Sequence, residues 1–291
     1  MKKERIFSGK GRYFFAIILT LMYCIYGTLI MSIIINFNHE LVNHYELVAS
    51  VVNIVIAVTM VAILLFLKRD FGKVTLKSYV CGLGIYALPM MLFMLYYCFE
   101  ATRWIFFEHV ALYTTGIKNI FCTSLFYYIT VGIAEELVFR CGILNCLLYK
   151  TNQSKKKIAI ACICSGVLFG MMHLMGIFTD TESTLENKVL TIILACCIGF
   201  VFAVIFLKTK NLVVVVILHF AWDFTTFCNS EMIREKYRFG GSYNFIYRQI
   251  PIIIIMTIIA IIVLCKSKRE QLALGQNSTQ AKELENNMQE M

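Results

Sequence analysis

The amino-acid sequence predicts an all-α membrane protein, a polytopic bundle of about eight transmembrane helices. Of its 291 residues, 59% are hydrophobic, 15% are charged and two are prolines. A soluble domain of this length needs far more charge to cover its surface. The apolar residues also fall into long blocks of about 20 residues, which match the thickness of the hydrocarbon core at a rise of about 1.5 Å per residue. These observations exclude a soluble globular domain.

The apolar blocks define eight predicted spans. The first follows a basic N-terminus and is too long for a signal-peptide core, so we expect it to be a retained membrane helix. The fourth is longer than a bilayer requires and should tilt or project from it. The spans are residues 13–37, 45–67, 77–100, 119–149, 157–178, 188–207, 211–228 and 249–265.

The basic residues predict the orientation of these spans. With both termini in the cytoplasm, 19 of the 27 Lys and Arg residues fall on the inner side, seven fall outside and Arg140 lies within span four. This bias is the one expected of cytoplasmic loops. The same distribution argues against a nucleic-acid partner, because the charges flank membrane spans and face lipid head groups. We expect a multi-pass protein of the cell membrane, and the basic N-terminus and low proline content are typical of a bacterial chain.

No internal repeat is apparent, and we interpret the chain as one bundle with four segments. Residues 1–118 form N-terminal membrane helices and residues 119–228 carry the chemistry. Residues 229–265 supply an outer loop and the last membrane helix, and residues 266–291 form a polar cytoplasmic tail.

Ionisable residues lie inside three of the predicted spans. Charged side chains at bilayer depth cost about 2.5–3.5 kcal/mol each on insertion scales, so they persist where they pair or act. Span four carries two adjacent glutamates and an arginine, span five a histidine, and span seven a histidine and an aspartate. These residues are Glu135, Glu136, Arg140, His173, His219 and Asp223.

Helical spacing separates these residues into groups. Glu136 and Arg140 are four apart, with the acid before the base, and can neutralise each other. Glu135 is turned by about 100° from Glu136 and is free to face elsewhere. His219 and Asp223 also stack four apart, and a carboxylate beside an imidazole can fix its tautomer, hold a second proton or join it in binding a metal.

Activation of a water molecule is the simplest function that these groups share. Two imidazoles and a carboxylate, here His173, His219 and Glu135, can hold a divalent metal such as Zn²⁺ and leave a position open for water. A metal-free version also works, in which Glu135 and one histidine activate the water while His219 and Asp223 or backbone amides stabilise an oxyanion. The sequence leaves both open.

The three motifs together resemble those of the CPBP family, the CAAX-protease and bacteriocin-processing membrane endopeptidases. They read Glu135-Glu136-x-x-x-Arg140, Phe169-x-x-x-His173 and His219-x-x-x-Asp223. Each motif is weak alone, but their joint occurrence in this order, on apolar helices, is specific. The resemblance covers about residues 119–228.

The resemblance implies an eight-helix bundle with an intramembrane catalytic cavity that hydrolyses peptide bonds. It implies that Glu135 is the catalytic base, that His173 and His219 hold the water or metal, and that Asp223 is the partner in the third motif. Glu136 and Arg140 take supporting positions, and Phe169 is a packing residue. Eukaryotic members cut prenylated CAAX proteins, whereas bacterial members process or protect against peptides or serve as scaffolds.

Three functional hypotheses follow. The first is an intramembrane endopeptidase that acts on a membrane-associated peptide or a lipidated protein, with the lipid bilayer as its surroundings. The second is a non-catalytic immunity or scaffold protein with the same fold. The third is a proton- or metal-coupled transporter, against which we see neither paired broken helices nor repeated halves.

Overall fold

The computed structural model describes residues 11–37, 44–66, 74–107, 115–148, 154–174, 184–236 and 246–268. Its elements are helices, which we number α1 to α9 in chain order. The polar tail predicted from residue 266 lies outside the described residues beyond residue 268. The helices are α1 (Gly11–Phe37), α2 (Tyr45–Phe66), α3 (Leu76–Tyr79 with π-helical Val80–Tyr86), α4 (Leu88–Phe107), α5 (Thr115–Glu136, π-helical Leu137–Leu144 and Asn145–Leu148), α6 (Lys155–Met172), α7 (Leu185–Thr209), α8 (Leu212–Lys236) and α9 (Ile246–Lys266).

This architecture confirms the predicted all-α membrane bundle. By length and apolar composition, α2, α7 and α9 each qualify as a membrane span, and α3 with the first part of α4 adds a fourth if that bent pair is one span. Large apolar side chains such as Phe14 and Phe66 are exposed on the outside of the bundle. In a bilayer these side chains would face lipid, as expected of a membrane protein.

The third predicted span is not one straight helix. Its two parts, α3 and α4, meet at Ala87 with a bend of 75°. Pro89 lies in the first turn of α4, where its missing N–H costs no intrahelical hydrogen bond and its ring disfavours helical backbone at the residue before it. The proline therefore accounts for the position of the break.

Helix α5 changes its winding where the motif residues lie. It is α-helical as far as Glu136, π-helical from Leu137 to Leu144, and α-helical again to Leu148. A π-helical stretch widens the turn and is frequent at functional sites. This change of winding directly follows the two glutamates.

Glycines bring the helices of the site into close contact. A Cβ atom added to Gly166 on α6 would lie 2.7 Å from both the Cys196 carbonyl oxygen and the Phe200 nitrogen of α7. One added to Gly132 on α5 would lie 3.3 Å from the Val216 carbonyl oxygen of α8. Small residues permit such backbone approach in membrane bundles. The α5–α8 contact lies one turn before Glu136, so it sets the distance across the site.

Candidate active site

Helices α5 and α8 bring three of the predicted site residues into one group. The Nε2 atom of His219 lies 3.6 Å from Oε2 of Glu135 and 3.2 Å from Oδ2 of Asp223. His219 and Asp223 are one turn apart on α8, as their spacing predicted, and Glu135 faces them from α5. The side chain of His219 is 5% exposed, that of Glu135 11% and that of Asp223 28%. The group is therefore buried at His219 and opens towards Asp223.

Glu136 and Arg140 form a fully buried ion pair beneath this group. Arg140 Nε donates to Glu136 Oε2 at 2.6 Å, Nη2 donates to Oε1 at 3.3 Å, and neither side chain is exposed. Arg140 Nη1 also donates to the hydroxyl of Ser165 on α6 at 3.2 Å. A two-pronged guanidinium–carboxylate contact is both strong and directional. The pair therefore fixes α5 against α6 and holds Glu136 in one orientation.

Glu136 in turn fixes the imidazole of His219. Nδ1 of His219 lies 2.9 Å from Glu136 Oε1, an oxygen that already accepts a hydrogen bond from Arg140. An ionised carboxylate only accepts hydrogen bonds, so the proton of this contact lies on Nδ1. Nε2 then faces Glu135 and Asp223. Because Nε2 and Asp223 Oδ2 are 3.2 Å apart, a proton is needed on one of them to make the contact favourable.

His173 lies at the edge of the group rather than within it. It is the C-cap residue of α6, and its Nδ1 lies 3.3 Å from the carbonyl oxygen of Phe169. A carbonyl oxygen can only accept, so Nδ1 carries the proton of that contact and Nε2 keeps a free lone pair. His173 interacts electrostatically with Asp223 and His219. His173 is thus near the site, with no described hydrogen bond to Glu135, His219 or Asp223.

Aromatic rings enclose the buried side of His219. Phe169 on α6 meets its ring edge to face at 5.6 Å between centroids, and Phe202 on α7 lies at 5.7 Å. The guanidinium carbon of Arg140 lies 5.5 Å from the Phe169 ring centre and 6.0 Å from that of Phe202. These contacts exclude water from the ion pair and leave the imidazole few alternative positions. Phe169 therefore packs against both Arg140 and His219.

Two residues of the site were not predicted. The Tyr23 hydroxyl on α1 donates to Glu135 Oε1 at 3.2 Å, and Ser165 receives the hydrogen bond of Arg140. A tyrosine within an apolar span could have been noticed as a polar group at depth, but nothing in the sequence indicates which helix it faces. Ser165 lies four residues before Phe169, so the helical period alone places it on the same face of α6.

The metal ligands expected from the sequence do not form a cluster. Among the residues that the structure describes, no group of three or more His, Cys, Asp or Glu side chains is arranged to hold a metal ion. Both histidines make these contacts through Nδ1, His219 to Glu136 and His173 to the Phe169 carbonyl, so Nε2 is the atom of each ring that could ligate a metal. The predicted ligand set of Glu135, His173 and His219 stays a prediction.

Comparison with known proteins finds a family model that matches part of the chain. Residues 117–225 match the family model described as type II CAAX prenyl endopeptidase Rce1-like. No curated protein and no solved structure matches the chain. The matched residues include all three motifs, and they confirm the resemblance to the CPBP family that those motifs indicated.

Proposed function

We propose that this chain is a membrane endopeptidase of the CPBP family that hydrolyses a peptide bond within the membrane by means of a water molecule activated at Glu135. The observation that carries the proposal is the contact of Glu135, His219 and Asp223 within 3.6 Å above a buried ion pair. An arrangement that needs six ionisable residues from three helices is costly in a bilayer. A structural role would be served by the Glu136–Arg140 pair alone.

Glu135 is the proposed general base. One of its carboxylate oxygens accepts from Tyr23, and the other faces His219 across 3.6 Å. A water molecule hydrogen-bonded to Oε2 loses a proton to it as the water oxygen bonds to the carbonyl carbon of the substrate. When the carbon–nitrogen bond breaks, Glu135 returns that proton to the leaving amine nitrogen.

His219 and Asp223 are proposed to stabilise the oxyanion. The proton that they share lies next to the position where the substrate carbonyl oxygen gains charge. A preorganised donor in a water-excluded site stabilises such charge strongly, since it needs no reorganisation during the reaction. Glu136 contributes by holding Nδ1 of His219, so that Nε2 always faces the reaction. His173, with its Nε2 lone pair free, is proposed to accept a hydrogen bond from the attacking water.

A membrane-associated peptide or a lipidated protein is the proposed substrate. The matching family model is described as a CAAX prenyl endopeptidase, which makes a prenylated peptide the first probe to try. We further propose that the chain lies in the cell membrane of a bacterium with both termini in the cytoplasm, on the strength of the distribution of its basic residues. A cysteine introduced before residue 11 should react with a membrane-impermeant thiol reagent on the cytoplasmic side, and reaction from the outer side would contradict this orientation.

Assistance by a divalent metal such as Zn²⁺ stays a prediction. The donor types suit zinc, but the described residues contain no group of three arranged to hold a metal ion, so we assign no step to a metal. Elemental analysis of the purified protein, with His173→Ala for comparison, tests the prediction independently of activity. Stoichiometric metal that is lost in His173→Ala would support it, and metal at trace levels in both proteins would count against it.

The proposed function is tested with the full-length protein in proteoliposomes and an internally quenched, farnesylated CAAX peptide, alongside its unprenylated form. Glu135→Gln keeps the size of the side chain and removes the base, so we expect cleavage to fall by at least about 1,000-fold. Glu186→Gln is the matched control, because Glu186 is an exposed carboxylate that accepts a hydrogen bond from the Tyr247 hydroxyl on α9 and belongs to none of the three motifs. It should cleave at the wild-type rate.

Two results would contradict the proposal. If Glu135→Gln cleaved as fast as the wild type, Glu135 would not be the base. If the folded wild-type protein cleaved neither peptide nor a library of membrane-associated peptides, a scaffold or immunity role for the same fold would be the better account.

A further inference from the structure

Glu135 has one hydrogen-bond partner among the described residues, and it comes from outside the segment that matches the family model. The Tyr23 hydroxyl on α1 donates to Oε1 at 3.2 Å. The other oxygen of Glu135, Oε2, is 3.6 Å from His219, which is beyond hydrogen-bond distance. The matched segment is residues 117–225, so α1 supplies a contact that the family motifs do not include.

The position of Tyr23 is fixed by the packing of α1 on α5. Leu19, one turn earlier on the same face, packs against Gly142, where an added Cβ would lie only 3.0 Å from Leu19 Cδ2. The Tyr23 ring meets the ring of Phe139 edge to face, at 6.2 Å between centroids. Phe139 is fully buried and itself contacts Phe169 at 5.1 Å. The hydroxyl therefore has little freedom to leave Glu135.

A glutamate needs such a contact if it is to act as a base in this place. Its side chain loses rotamer entropy when it is held in one conformation, so a contact is needed to hold it there. Without Tyr23, no described hydrogen bond would orient Oε2 towards the position that the water must take between Glu135 and His219. Outer-shell partners that orient the ligands of metal sites typically contribute about 10- to 100-fold to affinity or activity, and we use that range as the guide for Tyr23.

We propose that Tyr23 is a positioning residue, which holds Glu135 by one oxygen so that the other faces the water, and that α1 is thereby part of the active site. This inference rests on the proposed function for its kinetic consequence but not for the contact itself. The proposal assigns Tyr23 no proton transfer. Its effect should therefore fall on turnover rather than on substrate binding.

The first test compares Tyr23→Phe with Tyr26→Phe in the proteoliposome assay with the farnesylated CAAX peptide. Both changes remove one hydroxyl from α1, but Tyr26 is 40% exposed and serves as the control. We expect Tyr23→Phe to lower kcat about tenfold with KM within about twofold of wild type, and Tyr26→Phe to change neither. An unchanged kcat in Tyr23→Phe, or a raised KM alone, would overturn the proposal.

A second pair of variants separates the hydrogen bond from the ring. Tyr23→Gln and Tyr23→Leu both remove the aromatic contact with Phe139, but only glutamine can donate to Glu135. Turnover should be higher in Tyr23→Gln than in Tyr23→Leu, and equal turnover would overturn the role of the hydrogen bond. The thermal midpoints of the two proteins show whether both are folded.

Infrared spectroscopy tests the contact without turnover. The carboxylate band of Glu135 is the one lost in Glu135→Gln, and it should shift in Tyr23→Phe but not in Tyr26→Phe. An unshifted band would overturn the inference. If the band shifted in Tyr23→Phe but the wild-type protein cleaved no peptide, the contact of Tyr23 with Glu135 would stand and the proposed function would be contradicted.

Discussion

The α6–α7 interface and the α5–α8 interface both depend on glycine, but they enclose opposite chemistry. Between α6 and α7, Gly166 and Gly199 let the two backbones touch, and the surrounding side chains are apolar. Between α5 and α8, Gly132 lets the backbones approach beside a cluster of buried charges. The stability of the α6–α7 interface depends on close packing, whereas that of the α5–α8 interface depends on the pairing of its buried charges. The bundle thus combines a rigid apolar support with a polar site that it holds in position.

Breaking the ion pair should give the largest effect on stability. Arg140→Ala leaves Glu136 fully buried without its cation, and breaking a buried pair in this way costs about 3–5 kcal/mol in free energy of unfolding. The measurement is reversible unfolding in mixed micelles. Removal of both charges in Glu136→Gln/Arg140→Met should cost less than Arg140→Ala alone. If the double variant were less stable than Arg140→Ala, the two charges would not compensate each other.

Adding a methyl group to the α6–α7 interface should lower the free energy of unfolding by a smaller amount. Gly166→Ala introduces a methyl group within 2.7 Å of two backbone atoms of α7, and overpacking of this kind costs about 1–3 kcal/mol. Gly27→Ala is the control, because a Cβ there meets nothing within 4 Å. Replacement of such a helical glycine by alanine should raise the free energy of unfolding by up to about 1 kcal/mol. Equal unfolding free energies in the two variants would contradict the described contact between α6 and α7.

Removing one of the aromatic rings that pack against His219 should give the smallest change in the free energy of unfolding. Phe202→Leu keeps an apolar side chain but removes the ring that contacts His219 and faces Arg140. We expect a loss of about 1 kcal/mol in unfolding free energy and a several-fold lower kcat. Phe93→Leu is a suitable comparison, since its ring stacks on Trp222, one residue before Asp223, and not on His219. If both variants kept full activity, the Phe202 ring would contribute to packing alone.

Much of the fold and of the site could be predicted from the sequence. Long apolar segments are a strong signal because the bilayer fixes their length. The one-turn spacing of Glu136 with Arg140, and of His219 with Asp223, predicted contacts that the structure contains. Contacts within one helix follow from its period, whatever the arrangement of the other helices.

Features that depend on the packing of different helices were less predictable. The contact of Tyr23 with Glu135 spans 112 positions, and no periodicity links residues so far apart. The π-helical winding after Glu136 leaves no clear trace in the residue pattern. The position of His173 could not be inferred either, since its rotation towards the Phe169 carbonyl follows from the end of α6 at Met172. In contrast, the sequence does contain a signal for the break in the third span, namely Pro89, but the length of an apolar block does not take that signal into account.

Glu135 and Glu136 test the division between chemistry and support most directly, because they are adjacent and differ in their partners. The measurement is the thermal midpoint and the kcat of Glu135→Gln and Glu136→Gln in the same proteoliposome preparation. Our account predicts that Glu135→Gln loses at least about 1,000-fold in kcat with an unchanged midpoint, whereas Glu136→Gln lowers the midpoint as well. A Glu135→Gln protein that still cleaves the peptide at the wild-type rate would contradict it.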